Sequence, residues 1–342
     1  MTETTYKIKQ IPEDFFVKEI SNLIPKERGR YLYFILRKKN RNTLDVVKEI
    51  ANILHLKDKD IGFAGSKDKN ALTEQVCSIL GISKEKLLNL KIKGAEFKIL
   101  GYGDNPISLG DLEGNYFEII IRNIDTVQAE EIKYIENYFD EQRFGSNNAE
   151  IGKFLIHKQF PEAVKLIDDP IMNEYLQQKP QDMIGALKKI PPRMLRMYIN
   201  AYQSYLWNET LKEYLLKKGK VKKESSYSLG SFVLVQDPSA CKDVDIPIIG
   251  FSYLEIAAKS EVKQILDSIM QRENLEASDF VIKQIPELTL EGEMRKAVVP
   301  VKEFVIKRIE NDELNSNKKK IVVSFTLGKG SYATMVIRSI FG

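Results

Sequence analysis

Cysteine, histidine and tryptophan are nearly missing from this 342-residue chain, which has only Cys77 and Cys241, His55 and His157, and the single Trp207. Two cysteines make no disulfide framework, and no Cys or His pair has the close spacing of a structural zinc site, so no metal centre is expected. No stretch approaches the roughly 20 apolar residues of a membrane-spanning helix. The opening Met1-Thr2-Glu3-Thr4-Thr5 has neither the basic start nor the apolar core of a signal peptide. A cytoplasmic protein that avoids membranes is therefore expected. Neither sign of charge dominates, with 52 basic against 48 acidic residues and a net charge of +4. That balance permits nucleic-acid contact without requiring it. Repeats and low-complexity tracts are absent. So are nucleotide-cofactor motifs: Gly328-Lys329-Gly330-Ser331 has the wrong order for a phosphate loop, and Gly101-Tyr102-Gly103 reads as a turn. A reaction without a cofactor fits better than redox or phosphoryl transfer. Asn208-Glu209-Thr210 fits a glycosylation sequon but without secretion is only three polar residues on a helix.

What the chain does contain is apolar residues enough for one large domain or two ordinary ones, at 43% of the sequence. It also contains one unusual turn. From Gly62 to Gln75 the sequence runs Gly-Phe-Ala-Gly-Ser-Lys-Asp-Lys-Asn-Ala-Leu-Thr-Glu-Gln, setting Asp68 between Lys67 and Lys69 just ahead of an expected strand. A carboxylate among cations stays ionised and can serve as nucleophile or base. The same residue types also build plain solvated turns, and Lys57-Asp58-Lys59 repeats the tripeptide nearby. Three basic clusters, at Arg37-Lys38-Lys39-Asn40-Arg41, Lys217 to Lys223 and Lys318-Lys319-Lys320, could each grip phosphates or lie in solvated loops.

Periodicity organises the rest. Tyr31 to Leu36 reads as a buried strand, followed by a helix capped at Asn42 or Thr43 with Leu44, Val47, Ile50, Ala51 and Leu54 at helical spacing. Residues 116 to 122 and 321 to 327 read as strands, so the two ends of the chain are expected to share a sheet. Residues 126 to 141 read as an amphipathic helix. Pro191-Pro192 introduces a long helix from Arg193 to about Lys218, whose ring-rich stripe suits core packing better than base stacking. Turn formers at Ser228 and Gly230 and again at Asp237-Pro238-Ser239 bracket a short strand. Asn115 and Phe117, two apart in a strand, project from one face, where an amide and a ring can bond and stack a planar ligand; a core phenylalanine beside a strand-opening asparagine is the plainer alternative.

Several segments, taken together and in order, carry a resemblance. They are Pro12-Glu13-Asp14-Phe15 with Val17, the Gly62 to Gln75 stretch, Gly114-Asn115-Tyr116-Phe117, Asn137-Tyr138-Phe139 with Gln142-Arg143-Phe144-Gly145, and Gly330-Ser331-Tyr332-Ala333-Thr334 running to Val336 and Arg338. They resemble the signature of the TruD family of tRNA pseudouridine synthases. The resemblance implies an α+β catalytic domain with a central mixed, mainly antiparallel sheet, interrupted by an α/β insertion that faces it across an RNA-holding cleft. The cuts fall at about 146 and 300, giving 1–145 plus 301–342 and 146–300. It implies conversion of uridine 13 in the D arm of tRNA to pseudouridine, with Asp68 acting at the ribose. Asp68 either adds to C1′ or removes the C2′ proton, two routes the sequence leaves open.

By the same resemblance Lys9 is the first candidate for the cation beside Asp68, and Arg338, taken to lie on the last strand, the second. Lys67 and Lys69 are expected at phosphates or in solvent. Phe117 stands where other pseudouridine synthases use tyrosine, so the C5 proton must leave by water or Asp68. Thr73 and Gln75 are expected to position the loop or the ribose. Arg143 is expected at a hinge, at a phosphate or buried for structure. The expected partner is tRNA, with no obligate protein partner and a monomer sufficing. A non-catalytic RNA-binding protein on the same scaffold is the main rival. A carboxylate-dependent glycosidase would need a second carboxylate by Asp68, and Glu74 should point away.

Overall fold

The computed structural model describes residues 6–125, 130–257 and 261–341. In chain order the first elements are β1 (Phe15–Ile20), β2 (Tyr31–Lys39), α1 (Thr43–Leu54), β3 (Ile61–Phe63), β4 (Leu72–Leu80), α2 (Lys84–Leu88), β5 (Ala95–Gly103) and β6 (Gly114–Ile124). The middle of the chain gives β7 (Tyr134–Glu136), α3 (Asn148–Ile156), α4 (Phe160–Leu166), α5 (Pro170–Gln178), α6 (Met183–Leu187), α7 (Pro192–Lys218), β8 (Val221–Tyr227), β9 (Gly230–Val235), β10 (Asp245–Ile248), α8 (Tyr253–Ala257), α9 (Lys263–Arg272), β11 (Glu293–Lys296) and β12 (Val298–Pro300). The chain then returns through β13 (Lys302–Asn311), β14 (Lys319–Gly328) and α10 (Ala333–Phe341). Two compact units result, Met1–Lys133 with Pro300–Gly342, and Tyr134–Val299. By compactness the upstream cut thus falls before Tyr134, whereas sequence pattern sets it near 146.

The first unit is built on an eight-stranded sheet in the order β13-β14-β6-β1-β4-β2-β5, with β3 beside β4. Only β1 and β4 run parallel; every other pair is antiparallel. The sheet is therefore mixed and mainly antiparallel, and strands from both ends of the chain meet in it, as the sequence leads one to expect. Side-chain parity fixes what each face carries. On β2 the residues Leu32, Phe34 and Leu36 pack with Cys77 and Ile79 of β4 against Val46, Val47, Ile50 and Ala51 of α1. That helix starts after Asn42, which is extended, and stops at His55 in the left-handed region (φ 55°), whose N–H returns to the carbonyls of Ala51 and Asn52.

Two sequence-based assignments need correction. Arg338 and Val336 lie on a helix, α10, and not on a last strand. Valine and isoleucine favour strands in general, but Ala333, Val336 and Ile337 recur at helical spacing and are buried. The expected helix over 126 to 141 falls partly on 126–129, outside the described residues, and residues 130–140 are not helical. Ile135 through Asp140 are buried without a break, which no surface helix allows, and Tyr134–Glu136 pairs with β12.

The second unit is organised by α7, which buries Leu195, Tyr198, Tyr202, Leu206, Trp207, Leu211 and Tyr214. The rings are core, as helical spacing predicts. Asn208 of this helix exchanges hydrogen bonds with the backbone of Phe139, at 2.9 and 2.8 Å. The close crossing of α3 and α7 depends on Gly152, since a Cβ there would sit 2.1 Å from the Tyr198 carbonyl oxygen.

Candidate active site

Asp68 sits on the loop between β3 and β4, and neighbouring elements hold that loop from beneath. Thr43, the first residue of α1, uses one hydroxyl twice: it donates to Gln75 Oε1 (2.8 Å) and accepts from the Lys67 backbone N–H (3.1 Å). Gln75 in turn donates from Nε2 to the Gly65 carbonyl (3.1 Å). Lys38, at the end of β2, donates to the carbonyls of Lys67 (3.2 Å) and Asp68 (2.7 Å). Of the two residues predicted to position the loop or ribose, Gln75 binds the loop. Thr73 is fully buried opposite Lys38, and among the described residues nothing hydrogen-bonds its hydroxyl.

The side chains flanking Asp68 go different ways. Lys69 is exposed. Lys67 is not at solvent or free for a phosphate as expected: its side chain is only 8% exposed, and Nζ lies 2.8 Å from Glu19 Oε2 and donates to Asn115 Oδ1 (2.9 Å). The reason is register. Glu19 on β1 opposes Asn115 on β6, on the same face as Val17 and Phe117, so a buried carboxylate and an amide oxygen await the lysine. Lysine has no acceptor, so the bond also fixes the Asn115 amide with its NH₂ turned away from Lys67.

The carboxylate of Asp68 meets Lys9, Nζ to Oδ2 2.6 Å, with the two side chains 20% and 26% exposed. The same ammonium lies 4.1 Å from the centre of the Phe15 ring. Phe15 packs edge-on against Phe117, which is also tilted against Phe325; Phe117 is 6% exposed and thus a core ring in this structure. Lys9 is aimed by a clamp. Its residue is left-handed (φ 59°), and the segment around it is tied to Arg122 at both ends. Lys7 exchanges backbone hydrogen bonds with Arg122 (2.9 and 2.8 Å), and Asp14 pairs with the Arg122 guanidinium (2.9 Å) while accepting from the Ile11 N–H (3.1 Å). Asp312 completes the cluster at 2.8 Å from Arg122 Nη1. Burial pushes the Asp312 carboxyl up, but bonds from Asn123, Asn315, Leu314 and Arg122 outweigh it and bring it to about 2.

Other predicted residues sit on other elements. Arg338 is half-buried on α10. Arg143 belongs to the middle unit, where Nε donates to Ser204 Oγ (3.2 Å) and the guanidinium lies 5.6 Å from the Phe139 ring. Glu74 turns to Arg37 (3.8 Å). The first and third basic clusters carry acidic partners: Lys39 pairs with Glu13, Arg41 with Glu49 (2.7 Å), and Lys320 with Glu313 (2.6 Å). Among the described residues no group of His, Cys, Asp and Glu could hold a metal ion, and no helix is long and apolar enough to cross a membrane.

The model of the family described as tRNA pseudouridine synthase D (TruD) matches residues 1–173, 169–226 and 235–340. The chain belongs to the TruD family. Pseudouridine synthases are isomerases, and by family this TruD chain is one. The tRNA pseudouridine synthase D of Aquifex aeolicus is 32% identical over 98% of each chain. The crystal structure of the TruD chain of Methanosarcina mazei shares the fold, with a TM-score of 0.68 at 24% identity over 98% of this chain and 93% of that one. Sequence reasoning missed Lys38, Lys67 and Glu19 as the charges that pack around the Asp68 loop. Strand parity held the signal, because Lys38 continues the inward series of Leu32, Phe34 and Leu36, and Glu19 that of Phe15 and Val17.

Proposed function

We propose that this protein isomerises uridine 13 in the D arm of tRNA to pseudouridine, in the cytoplasm and without a cofactor, with Asp68 as the reacting carboxylate. The observation that supports this most is the Asp68–Lys9 ion pair on a loop tied down by Thr43, Gln75 and Lys38. The reaction breaks the N1–C1′ bond, turns the uracil and joins its C5 to C1′; the C5 proton leaves and N1 takes one up, so the product is an isomer. A carboxylate at the ribose serves this, by adding to C1′ or by taking the C2′ proton. Lys9 supplies the fixed cation that keeps it charged where water is excluded. The NH₂ of Asn115 is a donor for a uracil carbonyl, and Phe117 with Phe15 forms the apolar wall beside it. Arg338 and Arg143 are assigned supporting roles in holding substrate, and Thr73 with Gln75 in positioning the loop of Asp68. The chemistry is assigned to the unit of Met1–Lys133 with Pro300–Gly342, and the holding of RNA to Tyr134–Val299. The target must be flipped from its stack at a cost of a few kcal/mol.

Carbodiimide labelling and primer extension on tRNA transcripts treated with the protein alone test the assignment. The expected result is a new stop marking pseudouridine at position 13. Modification at another position, or none with a folded protein, contradicts it.

A further inference from the structure

Two of the hydrogen bonds that hold the main chain at Asp68 come from a single buried side chain. Lys38 is 1% exposed, and its Nζ bridges the carbonyls of residues 67 and 68. It reaches them from the α1 face of the sheet, on a β-strand position where an apolar residue would continue the core. Burying an ammonium is costly, and a buried lysine with a defined pair of acceptors specifies a geometry that an aliphatic side chain would not. We propose that Lys38 is a positioning residue for the reaction, fixing the peptide of Asp68 through both carbonyls so that its carboxylate is held toward Lys9 and the ribose. This rests on the reading of Asp68 as the reacting group.

The surroundings of Lys38 give the claim a second readout. On the loop it bonds the two carbonyls and feels the charges of the Asp68 carboxylate and the Lys67 ammonium, which are themselves paired with Lys9 and with Glu19 of β1. From β4 it faces Thr73, from β5 Ala95, both uncharged, and the uncharged Thr43 of α1 and Gln75 of β4 bond the same loop. Burial, opposed by Asp68 and aided by Lys67, pushes the Lys38 ammonium down to about 8. Loss of its charge weakens both bonds to the loop, so turnover should fall as pH rises through about 8.

The test compares wild type, Lys38→Met and Lys38→Arg by turnover on tRNA, by pH profile, and by hydrogen exchange at the amides of residues 66–69 without tRNA. Lys38→Met is expected to lower kcat on the order of 10²-fold with KM nearly unchanged, because a displacement of about 1 Å costs that much. It should speed loop exchange about tenfold or more, since local opening sets that rate. Lys38→Arg should restore part of kcat and lack the alkaline fall. A Lys38→Met kcat within about threefold of wild type, or unchanged loop exchange, overturns the proposal. An inactive wild type defeats the assigned reaction instead, and loop exchange alone then decides whether Lys38 holds Asp68.

Discussion

In the unit that carries Asp68 the buried side chains include Asp14, Glu19, Lys38, Arg122 and Asp312, whereas the middle unit buries Tyr198, Tyr202, Leu206, Trp207 and Leu211 along α7. Rings and aliphatic chains contribute stability directly by leaving water. Buried charges contribute little net stability, and removing one partner is severe because the other is stranded. The difference teaches where each unit spends its sequence. One defines a packed body, and the other defines the position of a few polar atoms. The charges of the first unit fall into two linked sets. Lys38, Lys67 and Glu19 hold the Asp68 loop, and Arg122 with Asp14 and Asp312 holds the segment that presents Lys9.

Changes in the first unit should therefore separate rate from stability, and the clearest case is Lys9→Met. Its ammonium is partly exposed, so folding should barely change while kcat falls on the order of 10²- to 10³-fold, the scale of losing one electrostatic contact in a site. Equal kcat with a normal melting curve would break the comparison. Next in size is Arg122→Gln, which strands Asp14 and Asp312 and should cost about 3–5 kcal/mol in denaturant unfolding. Activity should fall with it, because Lys9 loses its anchor. A loss below about 1 kcal/mol would mean the cluster is no clamp.

The smallest effect concerns the middle unit and its buried carboxylate Glu136. Burial pushes its carboxyl from 4.5 up to about 7, against the bond it accepts from the Val235 N–H. A raised acid binds its proton more tightly folded than unfolded. Stability of this unit should thus fall as pH rises from about 4.5 to 7 and level off above. Glu136→Gln should match wild type near the acid end and exceed it by roughly 3 kcal/mol above neutrality. Parallel stability curves for the two proteins would show that Glu136 ionises freely.

Much of this was legible in the sequence, for physical reasons that differ by residue. The shared sheet, α1 and α7 followed from periodicity, since each has one apolar face. The Asp68 loop and Lys9 stood out through a family signature and not through charge spacing. Lys38 was hidden inside a run of cations that reads as surface, although its parity with Leu36 pointed inward. Lys67 was hidden because its partner Glu19 is far away in sequence. Arg338 was placed on a strand because valine and isoleucine near it favour strands locally, and tertiary packing made the segment α10. Tyr134–Glu136 escaped because its pairing partner, Val298–Pro300, is equally distant.

The central claim is that Asp68 performs the chemistry on a loop already held for it. Tritium release from tRNA transcripts labelled at C5 of uridine, measured for wild type beside the near-isosteric Asp68→Asn, tests it most directly. The account predicts release by wild type without added cofactor and none detectable from Asp68→Asn that still folds and binds tRNA. Release by Asp68→Asn at a rate near that of wild type would contradict it.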